Sequence, residues 1–105
     1  MSLENLNSDN FNEKISSGVT VVDFYADWCG PCKKLTPVLE QIADTNSDLN
    51  VFKVNIEDCN DLAIQYSVRS IPYLVFFKDG EKVSTLTGLN DRNKILTEVN
   101  KIRIK

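Results

Sequence analysis

Histidine is absent from all 105 residues of the sequence. Its absence excludes histidine-based catalytic triads, histidine general bases and mixed cysteine–histidine zinc sites. Any proton transfer must therefore use a carboxylate, a lysine, a tyrosine or a thiol. Cysteine is also scarce: the sequence has three, an odd number that argues against a framework of structural disulfides.

Long hydrophobic runs and an excess of positive charge are absent as well. No stretch approaches the roughly 20 apolar residues that cross a bilayer, and the opening MSLENLNSDN lacks the basic and apolar regions of a secretory signal. The net charge is −3 with both signs interspersed, so no basic field is present for nucleic acid. We therefore predict no membrane segment, no nucleic-acid partner and a cytoplasmic location, where a close cysteine pair is more often catalytic or metal-binding than structural.

The chain is long enough for one domain, and we expect residues 1–105 to form a single one. Apolar periodicity predicts strands at Val19–Tyr25, Val51–Ile56 and Tyr73–Phe77 and helices at about 31–45 and 59–66. It also predicts a final amphipathic helix that carries Ile95, Leu96, Val99 and Ile102. Asp79-Gly80 predicts a hairpin turn into EKVSTLTG. Ser8 or Asp9 is expected to cap a first helix, and Asn90 or Asp91 the last.

Strands that alternate with helices imply a parallel sheet, and the C-terminal hairpin adds antiparallel strands. The predicted fold class is therefore α/β, with a central mixed sheet that is parallel in its N-terminal part. Helices are expected to flank both faces of this sheet.

The stretch ADWCGPCKK, residues 26–34, places Cys29 and Cys32 on either side of Gly30 and Pro31. Three interpretations compete. A zinc or iron–sulfur site normally needs four cysteine or histidine ligands, which this sequence cannot supply. A static structural disulfide would close almost no loop and would stabilise little. A reactive dithiol is the interpretation that the residues favour.

The pair lies where a predicted strand ends and a predicted helix begins. A helix N-terminus presents free N–H groups and a partial positive charge, so a thiolate there has a depressed pKa and is nucleophilic. Pro31 suits the first turn of the helix, since its missing N–H would have no partner anyway. Cys32, inside the turn, should be less exposed. We predict that Cys29 attacks and that Cys32 resolves.

FYADWCGPCK resembles the active-site signature of the thioredoxin family. The segments VDFYADWCGPCKKLTPVLEQIA, KVNIEDCNDLAIQYSVRSIPYLVFFKDGEKV and TGLN follow the thioredoxin pattern in order and spacing, over nearly the whole chain. The resemblance implies the thioredoxin fold and a dithiol that reduces disulfides in cytosolic client proteins such as reductases and peroxidases. It also implies re-reduction by a thioredoxin reductase, no bound cofactor or metal, and a monomer.

Asp23 is the one charged residue in the predicted strand Val19–Tyr25. The residues alone leave two alternatives open: a buried carboxyl with a raised pKa that accepts a proton near neutral pH, or a strand-end side chain that faces solvent. The resemblance favours the first, because the family's buried aspartate falls on Asp23, behind the second cysteine. By the same match Lys53 corresponds to the lysine that pairs with this aspartate, although composition alone favours an ordinary solvated strand lysine.

The Ile71-Pro72 bond is predicted to be trans from the general preference of X-Pro bonds, whereas the resemblance implies cis. In the family this proline lies against the cysteine pair, and the backbone of the residue before it pairs with the substrate chain. By resemblance, the substrate groove comprises Trp28, Gly30, Pro31, Ser70, Ile71, Pro72 and Gly88. For Trp28, a core aromatic is the alternative to a half-exposed groove residue.

Several positions depart from the family pattern. Tyr25 stands where many members have tryptophan or phenylalanine, Ser70 where glycine is frequent, and Tyr73 where a small threonine is usual. Tyr73 therefore bears on the groove's shape and on partner preference. Cys59 is additional to the catalytic pattern. It lies on an apolar helix stripe, for which inert packing is favoured over a regulatory thiol.

Two other functions are compatible with such a chain. A binding subunit could use the fold only as a scaffold, but the intact cysteine pair and the retained Asp23 count against it. An oxidase or isomerase could use the same fold, but such proteins usually carry other residues between the cysteines and work outside the cytoplasm. A disulfide reductase is the function that the sequence favours.

Overall fold

The computed structural model describes residues 3–104, and in this range strands alternate with helices except for one pair of consecutive strands near the C-terminus. In chain order the elements are β1 (Glu4–Asn5), α1 (Phe11–Lys14), β2 (Val19–Tyr25), α2 (Gly30–Thr45), β3 (Leu49–Asn55), α3 (Asn60–Gln65), β4 (Tyr73–Lys78), β5 (Glu81–Thr87) and α4 (Arg92–Arg103).

The strands form one mixed sheet in the order β1-β3-β2-β4-β5. The strands β1 and β2 run parallel to β3, whereas β4 is antiparallel to both β2 and β5. This arrangement confirms the predicted parallel N-terminal part and antiparallel C-terminal hairpin. It places β2, the strand that leads to the cysteine pair, at the centre of the sheet.

The two faces of β2 contribute to two different hydrophobic cores, because successive side chains of a strand point to opposite faces. Val19 and Val21 pack in the core that contains α2 and α4 residues such as Leu39. Val22 and Phe24 pack in the core that contains residues of α1 and α3. Helices therefore cover both faces, as expected, and Asp23 lies on the α2 face by its alternation with Val21.

The turn between β4 and β5 has positive φ at both central residues, 49° at Asp79 and 88° at Gly80. Two such residues suit a tight hairpin, which confirms the turn that the Asp-Gly pair predicts. At the start of α4, the Asp91 side chain accepts a hydrogen bond from the Lys94 amide over 2.8 Å, which confirms one of the two predicted caps.

The N-terminal region differs from the prediction. The helix α1 begins at Phe11 and its cap position is Asn10, not Ser8 or Asp9. Instead, the side-chain oxygen of Asn7 accepts hydrogen bonds from the amides of Asp9 and Asn10, over 2.9 and 3.0 Å. A turn closed by Asn7 therefore precedes the helix. The two-residue strand β1 was not predicted either, since its side chains are exposed and show no apolar pattern.

Within residues 3–104, no helix combines the length and the apolar character that would cross a membrane.

Candidate functional site

Cys29 and Cys32 are joined by a disulfide, with their Cα atoms 5.3 Å apart. Cys29 is the N-cap residue of α2 and has an extended backbone, while Cys32 lies in the first turn. The amide of Cys32 donates a hydrogen bond to the sulfur of Cys29 over 3.2 Å. The helix start expected from the sequence is thus confirmed one residue earlier than predicted, and it directs an N–H group at Cys29.

Both cysteines are almost fully covered. Cys29 is 4% exposed and Cys32 is 2% exposed, and they pack with Ala26, Ile56 and Ile71. The difference has the predicted direction but is too small to assign separate roles. The asymmetry between the two sulfurs comes instead from their positions on α2.

Asp23 is completely buried in the middle of β2. Neither of its carboxylate oxygens has a hydrogen-bond partner within residues 3–104. Burial raises the pKa of Asp23 from 3.8 to about 7, and the nearby charge of Lys53 opposes this rise. The solvent-facing alternative is therefore wrong, and the side chain is a buried carboxyl group with a raised pKa.

Lys53 lies beside Asp23 in the parallel β2–β3 register, but the expected direct pair is not formed. Its ammonium group lies over the ring of Tyr25, 4.3 Å from the ring centroid. In the described part of the chain no salt bridge joins Lys53 to Asp23. The aromatic face of Tyr25 provides an alternative partner, and the lysine acts on Asp23 through its charge alone.

A small cavity of about 100 Å³ lies next to Cys32. Its walls include Cys32 and Thr36 from α2 and Tyr25 and Lys53 from the sheet. The second cysteine of the pair therefore borders a space that Lys53 also lines. Among the described residues no cluster of three or more acidic or cysteine side chains could hold a metal ion.

The peptide bond between Ile71 and Pro72 is cis, as the resemblance implies and against the general preference for trans. A surface cavity of about 320 Å³ lies beside this segment. The residues that line it are Trp28, Ile56, Val68, Arg69, Ser70 and Ile71. Three groove residues expected from the sequence are thus brought together next to the disulfide, against which Ile71 packs.

The other expected groove residues do not line this cavity. Gly30 and Pro31 are exposed at the start of α2. Pro72 is buried, and its carbonyl oxygen accepts a hydrogen bond from the Gly88 amide over 2.8 Å. Gly88 adopts a φ of 84°, a conformation that glycine reaches without strain. This bond ties the end of β5 to the cis peptide.

Sequence reasoning missed Ile56, Val68 and Arg69 as part of the groove. Ile56 directly follows β3, and Val68 and Arg69 directly precede Ser70. Their proximity to the predicted residues in the chain was an available signal. The sequence does not show how residues 66–72, which join α3 to β4, run past the cysteine pair, because local apolar patterns do not determine the path of a loop.

Trp28 is 67% exposed, so the core alternative is wrong. Its indole N–H donates to a carboxylate oxygen of Glu57 over 3.2 Å, which holds the ring at the mouth of the groove. Tyr73 instead packs at the edge of the core shared by α1 and α3. Cys59 is a free, buried thiol 3.8 Å from the carbonyl oxygen of Leu6, as expected of a packing residue.

Comparisons with known proteins agree with this geometry. The thioredoxin family model matches residues 2–101. A thioredoxin from Chlamydia caviae is 45% identical over 95 residues, covering 90% of this chain and 93% of that protein. A mutant thioredoxin from Halobacterium salinarum NRC-1 superimposes with a TM-score of 0.90 at 35% identity, covering 96% of this chain and 90% of the other.

Another solved structure concerns the thiol resolving mechanism in yeast mitochondrial 1-Cys peroxiredoxin via glutathione/thioredoxin systems. It superimposes with a TM-score of 0.88 at 28% identity, covering 95% of both chains. Thioredoxins are disulfide oxidoreductases, and the cysteine pair of that activity is present here as Cys29 and Cys32. The chain belongs to the thioredoxin family and has the fold and the redox-active disulfide of a disulfide oxidoreductase.

Proposed function

We propose that this protein reduces disulfides in cytosolic client proteins through a Cys29/Cys32 dithiol that a thioredoxin reductase restores. The observation that carries the proposal is the position of Cys29 as N-cap of α2, where its sulfur accepts a hydrogen bond from the Cys32 amide. A thiolate in that position is stabilised by the amide and by the helix dipole. Cys29 is therefore assigned as the attacking residue.

The reaction begins with the reduced protein. The Cys29 thiolate attacks one sulfur of the client disulfide, which forms an intermolecular disulfide and releases the other client sulfur as a thiolate. That thiolate takes a proton from solvent. The groove lined by Trp28, Ser70 and Ile71 binds the client chain beside the attacked sulfur.

The second step releases the client. Cys32 passes its thiol proton to the Asp23 carboxylate, directly or through water, and its thiolate attacks the sulfur of Cys29. The intermolecular bond breaks, and the second client sulfur leaves as a thiolate. Two electrons have then moved to the client, and the Cys29–Cys32 disulfide has formed. A carboxyl with a pKa of about 7 suits this transfer near neutral pH.

The role of Asp23 is supported by its position. It lies on the face of β2 that packs against α2, the helix that carries Cys32. Its oxygens have no hydrogen-bond partner among residues 3–104, and burial raises its pKa, so the ionised carboxylate is a stronger base than that of an ordinary aspartate. Lys53 tunes this acidity through its charge and does not contact the carboxylate.

The partners follow from the family. Thioredoxins generally work with thioredoxin reductase and with disulfide-containing clients, and the yeast structure noted above concerns a peroxiredoxin. We propose peroxidases and reductases as clients of this protein, which acts as a monomeric single domain in the cytoplasm. No cofactor or metal takes part in the exchange.

The decisive experiment couples reduction of a protein disulfide to NADPH oxidation by a thioredoxin reductase. The wild-type protein should sustain turnover, Cys29→Ser should abolish it, and Cys32→Ser should accumulate an intermolecular disulfide with the client. Turnover that survives Cys29→Ser would refute the assignment. A reduction potential well above the cytosolic glutathione poise would favour an oxidase or isomerase instead.

A further inference from the structure

We propose that Tyr25 is a positioning residue: its ring, anchored by Asn5, holds the ammonium group of Lys53 close to Asp23. This inference rests on the proposed role of Asp23 as proton acceptor and deepens it. The resemblance to the family marks Tyr25 as a departure, and the structure places its ring in contact with Lys53.

The first observation is the contact between Lys53 and Tyr25. The ammonium nitrogen lies 4.3 Å from the centroid of the ring, well within the distance at which a cation is attracted to an aromatic face. Lys53 is the register partner of Asp23 on the neighbouring strand. The ring therefore fixes the ammonium on the strand next to the one that carries Asp23.

The second observation is that the ring is itself fixed. The Tyr25 hydroxyl donates a hydrogen bond to the Asn5 side-chain oxygen over 2.6 Å. Asn5 is on β1, Tyr25 is on β2, and β3 lies between them in the sheet. The tyrosine side chain therefore spans β3, the strand that carries Lys53. Phenylalanine or leucine at this position could not form the hydrogen bond to Asn5, because each lacks the hydroxyl.

The third observation concerns Asp23. Its carboxylate is fully buried and accepts no hydrogen bond from any residue in the 3–104 range. The charge of Lys53 lowers the pKa of Asp23 against the larger effect of burial. Holding the ammonium at a fixed place therefore sets how strongly that charge acts, whereas a lysine free in solvent would act less.

Other charged groups around the site are few. Lys33 from α2 and Asp27 from the loop before it line the same cavity as Lys53. On the β4 side, the register partner of Asp23 is the apolar Leu74. Tyr25 itself is influenced by the charges of Asp27 and Asp58. Of the two lysines, Lys53 is the one whose ammonium lies over the Tyr25 ring in the described structure.

The test is a double-mutant cycle read by titration of the Asp23 carboxyl carbon with NMR. It uses the full chain in its disulfide form, so that cysteine titration does not interfere. Lys53→Met removes the charge and keeps the apolar stem, and it should raise the Asp23 pKa above about 7. In the Tyr25→Leu background, the same Lys53→Met change should produce little further rise, because the ammonium is no longer held near Asp23.

Tyr25→Phe is the matched control, because it keeps the ring and loses only the Asn5 anchor. In the Tyr25→Phe background, Lys53→Met should raise the Asp23 pKa by less than it does in the wild type, but by a clearly measurable amount. Should Tyr25→Leu fail to fold, Asn5→Ala replaces it and should also reduce the rise. The proposal would be overturned if Lys53→Met raised the Asp23 pKa equally or more in the Tyr25 or Asn5 variants than in the wild type. It would also be overturned if Lys53→Met did not raise the Asp23 pKa in the wild type. Because no turnover is measured, failure here is distinct from failure of Asp23 as proton acceptor.

Discussion

The backbone amide of Cys32 points at the sulfur of Cys29, over a donor–acceptor distance of 3.2 Å. This relationship makes two residues of the same type chemically unequal. Cys29 is the cap of α2 and receives the free N–H of the first turn, whereas Cys32 is already inside the helix. The negative charge of a thiolate is therefore better stabilised at Cys29.

Alkylation should reveal this inequality. In the reduced protein, a limiting amount of iodoacetamide is expected to label Cys29 first, at pH values below the ordinary thiol pKa of about 8.5. Cys32 should react more slowly. Cys59 precedes α3, but its sulfur receives no capping hydrogen bond and packs in the core with Phe11 and Leu62, so it should react only after denaturation. Peptide mapping by mass spectrometry gives the order, and faster labelling of Cys32 than of Cys29 would reverse the assigned roles.

Replacement of Asp23 by asparagine removes the proposed proton acceptor without changing its size. We expect Asp23→Asn to slow the resolving step near neutral pH on the order of 100-fold and to remove the inflection at about pH 7. Trp28 is the only tryptophan in the sequence, so stopped-flow fluorescence can follow the step. Asp27→Asn, at an exposed carboxylate nearby, is the control. An unaltered pH–rate profile in Asp23→Asn would exclude its catalytic role.

The same substitution should alter the pH dependence of stability. The pKa of Asp23 is raised from 3.8 to about 7 on folding, so the folded state holds the proton more tightly than the unfolded state. The contribution of Asp23 to the free energy of unfolding is fully present below pH 3.8 and is lost as the pH rises to about 7. Above pH 7, Asp23→Asn should be more stable than the wild type by at most about 4 kcal/mol. Denaturant unfolding of the disulfide form measures this, and a difference that grows toward acid pH would contradict it.

The order and type of the main elements were predictable from the sequence, because their apolar positions repeat at strand or helix spacing. Val19–Tyr25 was predicted with the bounds that the structure shows. The exceptions are local polar features. The strand β1 is two exposed residues long and depends on pairing with β3, and the start of α1 depends on which asparagine side chain reaches the backbone amides.

The site was predictable to a different extent. The chemistry of Cys29 follows from its place before a helix, and this required no knowledge of tertiary structure. Burial of Asp23 was undecided from the residues and needed the family resemblance. The position of the Lys53 ammonium on the Tyr25 ring could not be foreseen, because it depends on a contact between side chains of different strands.

Client binding should depend on the exposed ring of Trp28. Trp28→Ala removes a wall of the groove, and we expect KM for a protein disulfide to rise about tenfold, equivalent to about 1.4 kcal/mol, with kcat nearly unchanged. A small aromatic disulfide, which does not fill the groove, should be reduced with little change. Trp28→Phe should recover part of the loss. Equal effects on both substrates would place Trp28 in the chemistry and not in client binding.

Two glycines of the site should respond oppositely to alanine. Gly88 has a φ of 84°, so Gly88→Ala should destabilise the fold by about 1–2 kcal/mol although an added Cβ meets no atom within 4 Å. Gly30 also has open space around an added Cβ, without the left-handed backbone, and it lies in the first turn of α2. Gly30→Ala should therefore stabilise the protein by up to about 1 kcal/mol. Denaturant unfolding of both variants in the disulfide form separates backbone strain from crowding, since crowding is absent at both positions. Equal changes in the free energy of unfolding would show that the conformation of Gly88 does not require glycine.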